Sequence, residues 1–262
     1  MPADVRRPCP LFQQAPCSAL RPFVRHFRVV THTDDRNDAH LPDTGPVAAF
    51  TFRGRCQLGS GEWVPEAAFT GLSQQVRTHA HRERHSVVLA TFTPIGAQAF
   101  LSPPLEAFSD QTTNLVGVLG HRSELADLAE RLTEAPDHSR RIRLVEAHLL
   151  ARLRMPAPDP LVAAAVDWLE HDAEPRRIAA LARYIGLSQS AIERRFRRVV
   201  GLSPKRFASI VRLQRAVALW RQGSDFTTAA LGAGYFDQSH FIHDFRRAAG
   251  RAPEAFFSAR PA

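Results

Sequence analysis

Cysteine is scarce in this chain and poorly spaced for chemistry. Cys9, Cys17 and Cys56 are the only three, and no two form a CxxC pair. That excludes a cysteine-based zinc finger and a disulfide framework, and it marks the three as reduced thiols. Lysine is scarcer still: Lys205 stands alone among 34 basic residues, so any electropositive surface is built from arginine. No stretch approaches 18 uninterrupted apolar residues, which excludes a membrane-spanning helix. No apolar run follows the Arg6-Arg7 charges, so a signal peptide is not expected and the expected location is cytoplasmic. With 44% hydrophobic and 23% charged residues the 262-residue chain is not disordered, and its length suits one large domain or two ordinary ones.

What is present is an uneven distribution of charge. The formal charge is +8, yet residues 176–262 hold 16 basic and 5 acidic residues, a net of +11. The remaining 175 residues hold 18 basic and 21 acidic ones, a net of −3. An almost neutral body attached to a basic terminal domain points to a polyanion as that domain's partner. A membrane surface would instead call for one amphipathic helix, and this region shows several short ones.

Four parts can be distinguished along the chain. Residues 1 to about 20 hold four prolines and little periodicity, as in an irregular lead-in. From Phe23 to Thr93 the pattern is strand-like, with Phe23, Arg25, Phe27 and Val29 expected on one side, and short Val/Phe/Thr runs at 47–52 and 87–92. The domain is therefore expected to be β-rich to about residue 96, then helical. Ser123 is placed to cap a helix carrying Leu125, Leu128 and Leu132, and Ile142, Val145, Leu149 and Leu153 share a face of the next. Three prolines in Pro156-Ala157-Pro158-Asp159-Pro160 read as a semi-rigid linker. This gives an N-terminal α+β domain over 1–155, a linker over 156–160 and an all-α domain over 161–262. Helices are expected at about 176–183, 188–199, 204–222, 225–232 and 238–249, with Gly186, Gly201, Gly223, Gly234 and Gly250 between or after them.

The glycine breaks carry the functional argument. Leu181-Ala182 precedes Gly186-Leu187-Ser188, and then Ile192, Phe196 and Val199 form an apolar stripe. A short helix, a glycine turn, a capping serine and a second amphipathic helix make a helix-turn-helix. The arrangement recurs about 48 residues later with Ala229-Ala230, Gly234-Tyr235, the cap Asp237, and Phe241 and Phe245. The outward faces carry Gln189, Ser190, Glu193 and Arg194 in the first unit, and Gln238, Ser239 and His243 in the second, as candidates for reading base edges. Arg197, Lys205, Arg212 and Arg246 are candidates for phosphate contact, although Arg212 is equally suited to holding a buried acidic partner. The helix between the units would be about 28 Å long at 1.5 Å per residue. That approaches the roughly 34 Å between successive major grooves on one face of DNA.

These residues resemble the DNA-binding domain of the AraC/XylS family of bacterial transcription regulators. The resemblance rests on Leu181-Ala182, Gly186, Ser188, Ile192, Arg194, Phe196, Gly201-Leu202-Ser203-Pro204, Phe207, Arg212 and Ala216. It continues through Ala230, Gly234-Tyr235, Asp237, Ser239, Phe241, Phe245, Arg246, Gly250, Pro253 and Phe256. It implies about seven helices with two helix-turn-helix units joined by a long central helix. It implies double-stranded DNA as partner, with RNA polymerase, a small-molecule effector and a second copy of the chain as further candidates, and no cofactor. His240 and His243 stand where the family often carries aromatic and arginine residues. Residues from about 17 to 155 resemble an N-terminal domain often attached to such regulators. Leu20-Arg21-Pro22-Phe23-Val24, Leu41-Pro42-Asp43-Thr44-Gly45 and Phe92-Thr93-Pro94-Ile95-Gly96-Ala97 carry that likeness, which implies a cupin-like sensing or dimerisation module.

One segment hints at other chemistry. In Thr78-His79-Ala80-His81-Arg82-Glu83-Arg84-His85, an unbroken strand would put His79, His81, Glu83 and His85 on one face, suited to a metal. An exposed polar strand or loop is the competing expectation. The metal alternative would make the protein a cupin-like metal-dependent enzyme fused to a DNA-binding domain, whereas the helix-turn-helix pair argues for a non-enzymatic regulator. A self-alkylating regulator needs a zinc-activated cysteine cluster, which Cys9, Cys17 and Cys56 do not supply. Cys56, Trp168 and Trp220 are expected in cores.

Overall fold

The computed structural model describes residues 11–155, 157–171 and 178–258; Cys9, Pro156 of the expected linker and the first residues of the helix expected from 176 lie outside these. The N-terminal domain is an antiparallel sheet with helices behind it, followed by a helical C-terminal domain. Its seven strands are β1 (Leu11–Gln14), β2 (Val24–Thr31), β3 (Arg36–His40), β4 (Val47–Leu58), β5 (Ala67–Thr70), β6 (Arg77–Phe92) and β7 (Thr112–Asn114). They pair in the order β1-β2-β6-β4-β5-β7, with β3 also on β6. The 16-residue β6 is therefore the spine, flanked by β4 on one side and by β2 and β3 in tandem on the other.

Several expectations are corrected here. The proline-rich lead-in ends in an edge strand, β1, which pairs Leu11–Gln14 with Val30–Phe27. Arg25 does not share the buried side of Phe23, Phe27 and Val29, because a register shift between Val24 and His26 turns it outward. The sheet does not end near residue 96: after short 3₁₀ turns at Ala97–Ala99 and Leu105–Phe108, β7 adds to β5. The polar 77–86 segment is strand, not loop, because it has strand partners on both sides. Opposite it, Gly54 has φ +63°, and a Cβ there would lie 2.5 Å from the Arg82 carbonyl oxygen, so only glycine fits.

Helices α1 (Arg122–Glu134) and α2 (His138–Leu150) pack Leu125, Leu128, Leu132, Ile142, Val145 and Leu149 into one core with Phe23, Phe27, Phe50, Phe69 and Phe92 from the sheet. Each such side chain contributes about 1.5–3 kcal/mol when fully buried. Ser123 is not the cap of α1: that position is His121, whose backbone N–H donates to the Glu124 carboxylate at 2.8 Å. Asp137 caps α2 by accepting from the Arg140 N–H at 2.7 Å.

The C-terminal domain has α3 (Pro160–His171), α4 (Ile178–Ile185), α5 (Gln189–Val200), α6 (Pro204–Arg221), α7 (Phe226–Gly232), α8 (Gln238–Ala249) and α9 (Pro253–Ser258). They form two cores rather than one. The first joins α3, α4 and α5 to Phe207, Ile210 and Val211 of α6. The second joins Leu213, Ala216 and Val217 of the same helix to α7, α8 and α9. Side chains of the sheet domain enter both: Leu72 packs in the first, and Ala39, Leu41 and Val76 pack against the second. Among the described residues no helix is long and apolar enough to cross a membrane.

His148 gives this fold a pH dependence. It lies on the buried face of α2 with its ring edge-on to Phe50 at 5.8 Å, and burial, followed by the Arg152 charge, pushes it down to about 4. The unfolded chain takes up this proton near pH 6.5 and the folded one does not, so stability is retained above 6.5 and is lost as pH falls from there toward 4. Chemical denaturation of His148→Gln at pH 7 and pH 5 should show a smaller loss between the two pH values than the parent chain shows.

Candidate nucleic-acid interface

The two helix-turn-helix units are built from the same parts. In the first, α4 leads through Gly186 (φ +74°) to α5, whose N-terminus is capped by Ser188 accepting from the Ala191 N–H at 3.3 Å. In the second, α7 leads through Gly234 (φ +86°) to α8, capped by Asp237 accepting from the His240 N–H at 2.7 Å. Both recognition helices end on a left-handed glycine, Gly201 (φ +96°) and Gly250 (φ +70°), whose N–H groups donate to the Arg197 and Arg246 carbonyls. Ile192 and Phe196, like Phe241 and Phe245, are buried, and this fixes which faces remain outside.

On α5 the exposed residues include Gln189, Ser190, Arg194 and Arg197, with Glu193 half-buried. Glu193 is held from both sides, by the Gln189 amide at 3.4 Å and by Arg197 at 3.7 Å. On α8, Ser239, His243 and Arg246 are exposed, while Gln238 accepts the Thr227 hydroxyl at 2.9 Å from α7. Lys205 is exposed in the first turn of α6. Arg212, expected either at a phosphate or beside a buried acidic group, is half-buried on α6. Its guanidinium lies 3.9 Å from Asp244 and 5.4 Å from the Tyr235 ring centre, and Asp244 also takes Arg247 at 2.9 Å. An acidic group that deeply buried needs a cation beside it, which Arg247 supplies at close range with Arg212 farther off.

Sequence reasoning missed three features of this face. The second turn is one residue longer than the first: Gly186 and Gly234 are 48 apart, but Ser188 and Asp237 are 49 apart. The extra residue is Phe236, 87% exposed. Arg195 of α5 reaches Asp159 at 2.6 Å, and Asp159 also accepts from the Leu161 N–H at the start of α3. Finally, the sheet domain bonds near the C-terminal ends of both recognition helices. The Ser109 hydroxyl donates to the Gly201 carbonyl, and the Val76 N–H donates to the Ala248 carbonyl at 2.7 Å. Alignment of the two glycine turns would have shown the extra residue; no sequence signal marks the interdomain bonds.

Comparison with known proteins agrees with this geometry. Residues 181–259 match the family described as a helix-turn-helix domain, and residues 13–114 match a domain of unknown function (DUF6597). The HTH-type transcriptional activator RhaS of Escherichia fergusonii is 34% identical over 99 residues, 37% of this chain and 36% of the relative. RhaS of Pectobacterium carotovorum is 26% identical over 178 residues, 64% of this chain and 62% of the relative. Residues 181–259 are thus a helix-turn-helix domain. The chain spans between about a third and three fifths of the length of these relatives. The whole fold is similar to the crystal structure of an apo ToxT point variant from Vibrio cholerae, with a TM-score of 0.52 and 11% identity, covering 93% of this chain and 98% of that one. None of these likenesses lends support to the enzyme alternative.

Away from the helix-turn-helix domain, β6 does not keep its four polar residues on one face. Glu83 and Arg84 adopt φ of +59° and +57°, and Glu83 swings out to pair with Arg55. His81 and His85 are left buried, and His32 of the β2–β3 connection stacks on His81 with ring centres 3.8 Å apart. Burial is the first cause that lowers all four rings, His79 and His85 to about 4, His81 to about 2, and His32 below its usual value. Cys56, buried beside them, is pushed up to about 11 by burial and then by Asp38, so its thiol stays protonated.

The two glycine caps yield a comparison. Gly250→Ala places a side chain in open space at a left-handed φ and should cost about 1–2 kcal/mol in equilibrium unfolding. Gly201→Ala carries the same strain and also sets its Cβ 3.1 Å from the Leu105 carbonyl of the sheet domain, so it should cost more. Parallel urea melts measure the difference.

Proposed function

We propose that the chain is a sequence-specific DNA-binding transcription regulator. Its α5 and α8 would enter adjacent major grooves, and its sheet domain would modulate them. One observation carries the reading: two capped, glycine-terminated helices with polar outer faces are mounted on opposite halves of the 18-residue α6, about 27 Å of rigid spacer at 1.5 Å per residue. Base reading falls to Gln189, Ser190, Glu193, Arg194, Gln238, Ser239 and His243, which combine amide, hydroxyl, carboxylate and guanidinium groups suited to base edges. Phosphate contact falls to Arg197, Lys205 and Arg246, the arginines adding bidentate geometry to their charge. Two units in one chain can occupy a site without a second copy, and contacts with RNA polymerase or a dimer partner would be additional.

A small-molecule effector would enter the sheet domain. A cleft of about 360 Å³ lies between the sheet and α1, lined by apolar residues and by Asn114, Arg122 and Glu66, within the size range of small-molecule sites. RhaS is named as an activator, and activation by a bound small molecule is the corresponding expectation here.

The test is a salt titration of binding to an operator selected from random DNA. With the three phosphates facing Arg197, Lys205 and Arg246 neutralised, log affinity should fall with log salt at a slope of about −2.7, about −0.9 for each phosphate. Arg197→Gln and Arg246→Gln should each reduce the slope by about one. Arg194→Gln should cost about 1–3 kcal/mol at the preferred site and relax the sequence preference there. Arg212→Gln should lower thermal stability and leave the slope as it is. A slope near zero in the parent chain overturns the proposal.

A further inference from the structure

The strongest unassigned chemistry lies in the sheet domain, where no step of DNA recognition uses it. His32, His81 and His85 are 2%, 7% and 3% exposed, and each offers a ring nitrogen within 4.8 Å of the other two. Three imidazoles brought from two separate segments into one dry spot are an unusual use of buried polar groups, which ordinarily need a partner to offset desolvation. The local geometry is more specific than proximity alone. His81 Nδ1 and His85 Nδ1 face each other at 2.9 Å. Two nitrogens bound to one tetrahedral ion, each about 2.0–2.1 Å from it, stand about 3.3 Å apart, so a few tenths of an ångström separate the two arrangements.

The far nitrogens complete the pattern. His85 Nε2 lies 3.2 Å from the Thr51 hydroxyl, and His81 Nε2 lies 3.7 Å from the second carboxylate oxygen of Asp38. The first oxygen of Asp38 is held by Arg36 at 2.8 Å, which fixes the carboxylate in place. A metal-bound histidine presents one nitrogen to the ion and donates its other N–H to an oxygen, often a carboxylate; His85 has such an oxygen within hydrogen-bond distance, while the Asp38 carboxylate stands just beyond it from His81, whose Nε2 is buried without a hydrogen-bond partner.

We propose that His32, His81 and His85 bind one divalent transition-metal ion of the zinc, nickel or cobalt class, with Asp38 and Thr51 orienting His81 and His85. The ion joins the start of the β2–β3 connection to the middle of β6 and leaves a fourth position for water or a small anionic ligand. Imidazole ligands suit this class of ion, whereas magnesium and calcium prefer oxygen. The strand geometry supports the same set. The left-handed Glu83–Arg84 pair moves Glu83 out to Arg55 and brings His85 into register with His81, replacing the four-residue face that an unbroken strand would have made. Asp38, His40 and His81 also converge, but that set has an exposed member and would compete for His81.

The experiment is cobalt(II) titration of the full-length protein, freed of metal by chelator, followed by visible absorption. One equivalent of Co²⁺ should produce the intense d–d bands of a four- or five-coordinate site. The bands should vanish in His32→Ala, His81→Ala and His85→Ala and persist in His40→Ala and in His243→Ala. Asp38→Asn retains every ligand and should weaken cobalt binding about 10- to 100-fold. Far-UV circular dichroism accompanies each variant, and where a histidine variant is unfolded the Asp38→Asn titration decides. Absence of saturable binding in the parent chain overturns the proposal, and hydrogen bonds alone then hold the cluster. So does loss of binding in His40→Ala but not in His32→Ala, or an unchanged affinity in Asp38→Asn. DNA binding need not respond for the site to stand.

Discussion

Much of this molecule depends on one helix serving two cores. α6 buries Phe207, Ile210 and Val211 in the first helix-turn-helix unit and Leu213, Ala216 and Val217 in the second. A helix that buries one stripe along its whole length can roll or slide against its partner. One that buries successive faces against different partners is fixed in both rotation and register. The separation of α5 and α8 then follows from a covalently continuous rod rather than from a flexible tether. This explains why α6 buries apolar residues on two successive faces, and two of its polar residues tie those faces to their surroundings. Arg212 meets Asp244 of the second unit, and Gln214 donates to the Pro42 carbonyl of the sheet domain at 3.2 Å.

The sheet domain adds a second level of constraint. It meets the helical domain at several places, among them Leu72 with Ser109 against one unit and Ala39, Leu41 and Val76 against the other. Because it holds the last turns of α5 and α8, their first turns, which carry Gln189, Ser190, Gln238 and Ser239, are left uncovered. Phosphates and base edges would meet the positive end of each helix dipole there. The charge division fits the proposed role: the basic excess belongs to the half that would face a polyanion, while the sheet domain would need no such surface.

The C-terminal domain was largely legible because its signals are local. Caps, glycine stops and apolar stripes act within one or two turns, and Ser188, Asp237, Gly201 and Gly250 occupy the roles that their spacing implied. The sheet domain was legible only where alternation was regular. Arg25 and Glu83 were misplaced because a single bulge or left-handed residue reverses the side of a strand, and nothing in the residue types announces it. The length of β6 was hidden because its polar half is stabilised by neighbours on both sides rather than by its own hydrophobicity. His32 could not be joined to His81 and His85 from sequence, since that contact depends on the pairing of strands some fifty residues apart.

The bonds from Ser109 and Val76 to the ends of the recognition helices have a consequence for genetics. A screen for loss of promoter recognition scores phenotype, not location, and would return changes at Leu72, Val76 and Ser109 together with changes on α5 and α8. Such alleles would map to the sheet domain yet behave as lesions of the operator-reading half. Suppressors of them would be expected across the interface, near Gly201 and Ala248, rather than elsewhere in the sheet. The boundary drawn by chain order and the boundary drawn by phenotype would therefore fall in different places.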